Sequence, residues 1–273
     1  MIANILSIAG TDPTGGAGIH ADLKTFAANG AYGMAAVTAV VAQNTQGVRG
    51  FAAIEPAMVA DQIDAVFEDV RVDAVKIGMC ANAGIIEAIA NRLTAHQARN
   101  IVLDPVMVAK SGDHLLAPEA VAALRERLVP MATVITPNLP EAAVLLGVPD
   151  AWDAARMEAR LGDLLALGSE WVLLKGGHLA GETATDLLAG ADGITRFAAP
   201  RIATRNDHGT GCTLSAAIAA HLPALGVVGA VGAAKDYLQG ALAAADQLQV
   251  GHGHGPLNHM HGIGPQPGPD GCG

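Results

Sequence analysis

Short apolar segments recur along the chain, and most of them lead through a turn with glycine or proline into a helical pattern. The first, residues 4–10, continues through the glycine-rich loop 11–18 into a helix that ends near Asn29. Strands that alternate with helices pair mostly in parallel and are covered by those helices. The alternation predicts an α/β fold with ligand-binding groups after the carboxyl ends of the strands. The predicted strands are residues 4–10, 34–43, 73–79, 101–106, 134–136 and 171–175, with a hairpin over 184–198.

Length and cysteine usage indicate a single domain from a reducing compartment. The chain has 273 residues, 51% of them hydrophobic, and we expect one domain over residues 1–262 with a flexible tail over 263–273. Its three cysteines are too far apart in the sequence to suggest a disulfide framework. The opening residues lack the basic region of a secretory signal, so we expect a cytoplasmic protein.

Charge and hydropathy exclude two classes of partner. The formal net charge of −10 disfavours nucleic acid, whose phosphates need clustered lysine and arginine. Residues 25–48 and 209–234 contain no charged side chain, but the first is interrupted by amides and the second is mostly alanine and glycine. Neither resembles a leucine-rich membrane span. We therefore expect no membrane segment, two buried core elements and a small-molecule ligand.

The segment from Asp207 to Ser215 joins a glycine-rich turn to a helix that begins beside Cys212. Gly209 and Gly211 allow a tight backbone, so the amides of the first helical turn can point at one anion. The positive end of the helix dipole predicts a lowered pKa for the Cys212 thiol. The alternative is that Cys212 is a small buried apolar residue and the glycines only cap a helix.

The loop over residues 10–18 resembles neither common nucleotide-binding glycine motif. Gly16 and Ala17 stand where a P-loop has lysine and serine or threonine, and the carboxylate of a dinucleotide site is missing. This loop is therefore predicted to hold a neutral substrate closely. Gln43 and Asn44 end the second predicted strand, where they either contact a ligand or only close a turn.

Polar side chains also follow the later strands. Asp104 either helps to bind a metal ion or a phosphate-bearing ligand, or simply ends its strand before proline. Asn138 and Glu141 suit a hydrated Mg²⁺, although their spacing favours a helix cap. Lys175 ends a buried strand and is expected to reach an anion. Lys235 lies on the predicted polar side of the last helix.

Two further segments allow two interpretations each. Residues 110–113 are either a lid that excludes water or a plain hairpin loop. The two His-x-His pairs at 252–254 and 259–261 could hold a metal, but their glycine-rich and proline-rich context favours a surface loop.

Several of these motifs together resemble one enzyme family. The chain is similar to the hydroxymethylpyrimidine/phosphomethylpyrimidine kinases of thiamine biosynthesis, members of the ribokinase-like superfamily. The resemblance implies a three-layer α/β/α fold with a mostly parallel sheet and two successive phosphoryl transfers from ATP with Mg²⁺. It also allows a monovalent cation and implies a homodimer. The resemblance is carried by residues 8–18, 42–45, 76–79, 104–107, 136–142, 175–178, 208–215 and 251–253.

The resemblance implies a substrate end built from the early part of the chain. Gln43 would read the edge of the aminopyrimidine, and Met79 would pack against its ring together with Val106. Asp22 and the backbone of Gly10 would hold the hydroxymethyl group. Cys212 would accept its proton, in the position where the wider superfamily usually has aspartate.

The resemblance also implies a nucleotide end. The Gly209–Cys212 amides and Lys175 would stabilise the γ-phosphate. Asp104, Asn138 and Glu141 would organise Mg²⁺ partly through water. The remaining nucleotide contacts would come from Thr210 and Lys235. The chain departs from the family at Asp207, where threonine is common.

Other functions remain open at this stage. Pyridoxal kinase and hydroxyethylthiazole kinase have a similar glycine-cysteine turn. A nucleotide-binding protein without turnover is the alternative from another class, and the retention of Glu141, Lys175 and Cys212 speaks against it. A dinucleotide reductase is disfavoured by the loop over residues 10–18.

Overall fold

The computed structural model describes residues 1–107 and 116–263, and these residues form a central sheet with a small separate hairpin. Within this part of the chain the central sheet has eight strands in the order β10-β9-β8-β7-β6-β5-β1-β2, and β3 pairs only with β4. The strands are β1 Asn4–Ala9, β2 Tyr32–Val37, β3 Ala39–Asn44, β4 Gly47–Ala53, β5 Ala74–Ile77, β6 Ile101–Leu103, β7 Val134–Ile135, β8 Trp171–Leu174, β9 Thr183–Gly190 and β10 Gly193–Pro200.

Helices cover both faces of this sheet. Helix α1 packs against α8 on one face, while α2 and α3 pack together on the other. The helices are α1 Gly18–Ala28, α2 Pro56–Asp69, α3 Ala83–Ala95, α4 Pro118–Ala123, α5 Leu139–Leu146, α6 Ala154–Ala159, α7 Leu161–Leu165 and α8 Thr210–Ala243. The predicted three-layer α/β/α arrangement is therefore confirmed.

Alternation along the strands divides the core in two. In β1, Leu6 and Ile8 face the cluster under α2 to α7, whereas Ile5 faces the cluster under α1 and α8. The other central strands repeat this alternation because successive side chains of a strand point to opposite faces. Burial on both faces explains why these strands appear in the sequence as continuous apolar runs.

The strand order reverses direction at β1, and this reversal positions the site. The chain passes from β1 to β2 at the edge, and then returns to β5 on the other side of β1. Strands β5 to β8 continue away from it in parallel. In such sheets, ligands bind beyond the carboxyl ends of the strands at the switch point.

One predicted strand is wrong as a continuous element. Residues 34–43 do not form a single strand, because β2 ends at Val37, which pairs with the last residue of β1, Ala9. The following residues form β3 of the separate hairpin. Gln43 therefore lies on a hairpin beside the site and not at the edge of the central sheet. The predicted hairpin over 184–198 is confirmed as the antiparallel pair β9 and β10.

Helix α8 contains the second uncharged stretch. The helix is interrupted at Gly226, where the backbone is not helical. The segment Thr210–Gln247 is long and apolar enough to cross a membrane, but 56% of its most apolar window is buried inside the fold. Its contacts with α1, β5, β6 and β10 identify it as a core helix. The predicted lid, 110–113, and the tail beyond residue 263 lie outside the described residues.

Candidate active site

One cavity of about 1090 Å³ collects almost all the predicted site residues. It opens at the carboxyl ends of β1, β5, β6, β7 and β8, as the switch-point argument requires. Of the predicted site residues, only Asp22 does not line it. Its wall includes Gly10, Gln43, Met79, Asp104, Val106, Asn138, Glu141, Lys175, Gly209, Thr210, Gly211, Cys212 and Lys235.

The glycine turn before α8 is pressed against the loop after β1. Gly209 has φ +85°, and a Cβ atom there would collide with the backbone carbonyl oxygen of Gly16. A Cβ on Gly211 would lie 3.3 Å from Lys175 Nζ and 3.5 Å from Asp104 Oδ2. The first turn of α8 therefore lies beside the ammonium group of Lys175 and the carboxylate of Asp104. Free amides at a helix N-terminus favour a negatively charged ligand.

Asp12 holds this loop together, although no role for it was predicted from the sequence. Its carboxylate is 1% exposed and accepts the backbone N–H groups of Thr14, Gly16 and Ala17. Oδ2 also lies 2.8 Å from Nε2 of His208, directly before the glycine turn. Burial by itself would raise the pKa of Asp12, but the hydrogen bonds from His208, Gln43 and Thr14 hold it well below its usual value.

The signal for Asp12 was present in the sequence. An aspartate two residues before threonine in a glycine-rich loop commonly accepts hydrogen bonds from the backbone that follows it. Its link to His208 could not be seen, because that residue is 196 positions away.

The predicted low pKa of Cys212 is wrong. Burial raises the pKa of this thiol to about 11, although Lys76 and a hydrogen bond from the Gly18 backbone N–H act to lower it. A helix N-terminus contributes about 0.3–1 kcal/mol, up to ~2, or at most ~1.5 pKa units. Desolvation of a buried group contributes up to about 3–5 units and therefore decides the outcome. Cys212 is a thiol at neutral pH.

The predicted contact between Asp22 and substrate is also contradicted. Asp22 is fully buried, and both its oxygens lie 2.9 Å from Nζ of Lys76. Ser7 Oγ donates a third hydrogen bond to it, at 2.6 Å. Lys76, which is also 0% exposed, lines the cavity, whereas Asp22 does not.

Lys175 lies between two carboxylates at the centre of the cavity. Its Nζ is 3.2 Å from Asp104 Oδ1 and 3.9 Å from Glu141 Oε2. Although burial alone would lower the pKa of Lys175, these carboxylates raise it, so the ammonium stays charged. Burial raises the pKa of Glu141 to about 7, and Lys175 only partly opposes this.

Asn138 is occupied by the helix cap. Its side-chain oxygen accepts the N–H of Glu141, and Glu141 Oε2 accepts the N–H of Asn138, both at 2.8 Å. This capping box is the alternative that the spacing favoured, and it leaves Asn138 poorly placed as a metal ligand. Within the described residues no cluster of three histidine, cysteine or acidic side chains could hold a metal. Asp104 and Glu141 still fit Mg²⁺, which often takes one or two carboxylates together with substrate phosphates.

Lys235 differs from its predicted place on a polar helix face. It is buried and forms an ion pair with Asp186, whose other oxygen accepts the N–H of Gly176 at 2.9 Å. Lys235 and Asp186 both line the cavity. Sequence reasoning missed Asp186, because nothing local marks a strand aspartate as the partner of a distant lysine.

The opposite end of the cavity is lined by apolar groups and one amide. Met79 packs against Gly10 so closely that a Cβ at Gly10 would lie 2.7 Å from Met79 Cε. Gln43 hydrogen-bonds Asp12 from the hairpin side. Val106 follows the end of β6 on the same wall.

The segment over residues 251–256 ties the hairpin to the glycine turn. Thr45 Oγ1 accepts the N–H groups of His252 and Gly253, at 3.2 and 3.1 Å. His208 pairs with Pro256 at the other end of this segment. His259 is buried against Thr213 Oγ1, at 2.9 Å. These contacts give the histidine-rich segment a structural role, and the burial of His259 differs from the surface loop that the sequence favoured.

Together, the fold and the cavity define a class of protein. An α/β/α sheet with a glycine-rich helix N-terminus, a partly buried ammonium group and an acidic pair at its switch point is suited to transfer of a phosphoryl group. These features are those of a small-molecule kinase of ribokinase-like fold.

The chain belongs to the phosphomethylpyrimidine kinase family, which matches residues 12–258. It is 57% identical over 259 residues to the hydroxymethylpyrimidine/phosphomethylpyrimidine kinase of Escherichia coli (strain K12), covering 94% of this chain and 97% of that one. The family and the enzyme class predicted from the sequence are therefore confirmed.

Two solved structures show the same fold. Phosphomethylpyrimidine kinase from Clostridium difficile 630 is 42% identical, with a TM-score of 0.77 over 87% of this chain and 98% of that one. An ADP complex of Bacillus subtilis pyridoxal kinase is 37% identical, with a TM-score of 0.89 over 96% and 98%. The fold alone therefore does not separate the two vitamin kinases.

Proposed function

We propose that this chain transfers the γ-phosphoryl group of ATP to the hydroxymethyl oxygen of 4-amino-5-hydroxymethyl-2-methylpyrimidine, and then phosphorylates the resulting monophosphate. The observation that carries the proposal is the convergence of Cys212, Lys175 and the first-turn amides of α8 between two ends of one cavity. The apolar end beside Gln43 and Met79 suits a small aromatic ring with polar edges.

On the donor side, the chain supplies positive charge at a fixed place. Lys175 remains an ammonium and lies beside Gly211, where no side chain blocks the approach of a phosphate. The first-turn amides of α8 add donors that need no rearrangement, because Gly209 locks the turn against Gly16. Phosphoryl transfer depends mostly on such positioning and electrostatic stabilisation.

Asp104 and Glu141 are the groups that would hold Mg²⁺, completed by water and the phosphates of ATP. When bound, the ion would neutralise the charge that develops on the phosphates. Asp104 is held by Thr136 and Ser215 as well as by Lys175, which fixes its orientation. The homodimer and the monovalent cation remain predictions.

On the acceptor side, Cys212 is the proposed proton acceptor for the hydroxyl of the first substrate. Because its pKa is about 11, little thiolate exists at pH 7. We therefore expect kcat of the first transfer to rise between pH 7 and pH 9. The second acceptor is a phosphate monoester, which is already ionised at neutral pH, so its transfer should lack this rise.

The experiment is mass analysis of the products formed from the hydroxymethylpyrimidine and ATP, followed separately for monophosphate and diphosphate. Cys212→Ala should lower the first transfer by about 10²–10⁴-fold and the second much less. Cys80→Ala is the matched control, because Cys80 is buried and does not line the cavity. Equal losses in both transfers would refute the role of Cys212 as proton acceptor, and no phosphorylated pyrimidine would refute the function.

Phosphorylation of pyridoxal is the second candidate, supported by the TM-score of 0.89 to a pyridoxal kinase. The two activities are separated by kcat/KM for each substrate under the same ATP concentration. We expect the aminopyrimidine to be preferred, since Gln43 presents an amide that can pair with an amino group and a ring nitrogen. A higher kcat/KM for pyridoxal would reverse the assignment.

A further inference from the structure

The cavity that contains the proposed proton acceptor also has a buried cation in its wall, Lys76, which has no part in the reaction as described above. Lys76 and Asp22 are both fully buried, and Nζ lies 2.9 Å from each carboxylate oxygen. Ser7 Oγ fixes the same carboxylate at 2.6 Å. Lys76 lines the cavity that Cys212 also lines.

Helix α1 connects this ion pair to Cys212. The N–H of Gly18, the first residue of α1, donates to the Cys212 sulfur. Asp22 lies four residues later and therefore on the same face of the helix. Gly18 has φ +56°, and a Cβ there would collide with the Gly10 carbonyl oxygen. The same carbonyl oxygen accepts the N–H of Ile19 at 3.0 Å, which holds the start of α1 against the end of β1. Helix α1 thus carries both Asp22, the partner of Lys76, and the Gly18 N–H that donates to Cys212.

Stability alone is a poor reason to keep such an ion pair. Replacement of a buried ion pair by apolar residues of similar volume is often neutral or stabilising. The charged groups around the Cys212 sulfur are Lys76 from β5, Lys175 after β8, Asp22 from α1 and Asp104 after β6. The two lysines favour a thiolate, and the two aspartates oppose it.

We propose that Lys76 is a positioning residue for the first transfer, whose ammonium, oriented by Asp22 and Ser7, stabilises the negative charge on the Cys212 sulfur. The thiolate takes the proton of the substrate hydroxyl, so an S–H bond forms as the O–H bond breaks. The oxygen then bonds to the γ-phosphorus, and the bond from that phosphorus to ADP breaks. This role rests on the proposed function, but the charge coupling between Lys76 and Cys212 can be measured without substrate.

The test is the rate of alkylation of Cys212 by iodoacetamide as a function of pH, followed on its peptide by mass spectrometry in the full-length protein without ligands. Lys76→Met should raise the thiol pKa and slow alkylation at pH 8 by at least about tenfold. Asp22→Asn should act in the opposite direction, accelerating alkylation by about tenfold, because it removes a negative charge that opposes the thiolate while Lys76 keeps its positive charge. A structural disturbance would move both variants in the same direction.

Two further variants complete the experiment. The double variant Lys76→Met/Asp22→Asn removes both charges and should alkylate at a rate between those of the two single variants. Arg71→Met breaks an ion pair with Asp73 outside the cavity and should leave the alkylation rate unchanged. If Lys76→Met does not fold, Asp22→Asn alone still decides, since an unchanged or slower rate contradicts the proposal.

The pH profile of pyrimidine phosphorylation supplies the second readout. The rise in kcat for the first transfer should move to higher pH in Lys76→Met and to lower pH in Asp22→Asn. Equal profiles in all variants, or alkylation shifts of the same sign in both single variants, would overturn the role of Lys76. Opposite alkylation shifts in a protein that does not phosphorylate the pyrimidine would instead refute the proposed function and leave the coupling between Lys76 and Cys212 standing.

Discussion

The Asp12→Asn substitution keeps the shape of the side chain while removing the charge that holds the loop over residues 10–18. Oδ1 accepts hydrogen bonds from the N–H and the hydroxyl of Thr14. Oδ2 accepts the N–H groups of Gly16 and Ala17 and faces His208. An amide must place its NH₂ group at one of these two positions. The Oδ1 position is less unfavourable, because the Thr14 hydroxyl can rotate and accept, but the Thr14 N–H then loses its partner.

The expected loss of folding free energy follows from these contacts. One buried N–H without a partner costs about 1–3 kcal/mol. The three hydrogen bonds to Oδ2, from Gly16, Ala17 and His208, no longer have a charged acceptor, which weakens each by about 1 kcal/mol. We therefore expect Asp12→Asn to lower the free energy of unfolding by about 4–6 kcal/mol. Displacement of the loop by about 1 Å should also lower kcat/KM by about 10²-fold.

Urea denaturation followed by circular dichroism measures the free energy of unfolding at pH 7. Thr14→Val is the matched control, because it removes only the Oγ1 hydrogen bond and should cost about 1 kcal/mol. If Asp12→Asn destabilises the protein no more than Thr14→Val, the carboxylate does not organise the loop and the reasoning fails.

Three further substitutions test other contacts and charges of the site. Gly209→Ala should lower kcat/KM by about 10²-fold, because its Cβ meets a backbone carbonyl; Gly30→Ala has the same left-handed conformation in open space and should keep full activity. Thr45→Val removes the acceptor for residues 252 and 253 and should raise KM for the pyrimidine by up to about tenfold, whereas Thr45→Ser should not. The folded pKa of Glu141, about 7, lies above its ordinary 4.5, so its contribution to stability is present below pH 4.5 and lost as pH rises to 7. Between pH 4.5 and pH 7 this loss lowers the free energy of unfolding by about 3 kcal/mol, and Glu141→Gln should abolish it. Urea denaturation at the two pH values measures the difference, and an unchanged pH dependence in the variant would contradict the assigned pKa.

The sequence by itself was sufficient for most of the strands and helices of the central sheet and for the polar groups that follow its strands. Strands buried on both faces must be apolar throughout, which marks them in any sequence. Because parallel strands end at the same edge, the polar residues that follow them, such as Asp104 and Lys175, must come together. The capping box of Asn138 and Glu141 could be anticipated for a similar reason, since both partners lie within one helical turn.

Only the tertiary structure decided which charges meet. Asp22 and Lys76 are 54 positions apart, and Asp12 and His208 are 196 apart, so no local pattern connects them. The sequence showed the helix N-terminus at Cys212 but not the burial that raises its pKa. Backbone propensity and periodicity are local properties of the chain, whereas desolvation and ion pairing depend on neighbours that only the complete fold supplies.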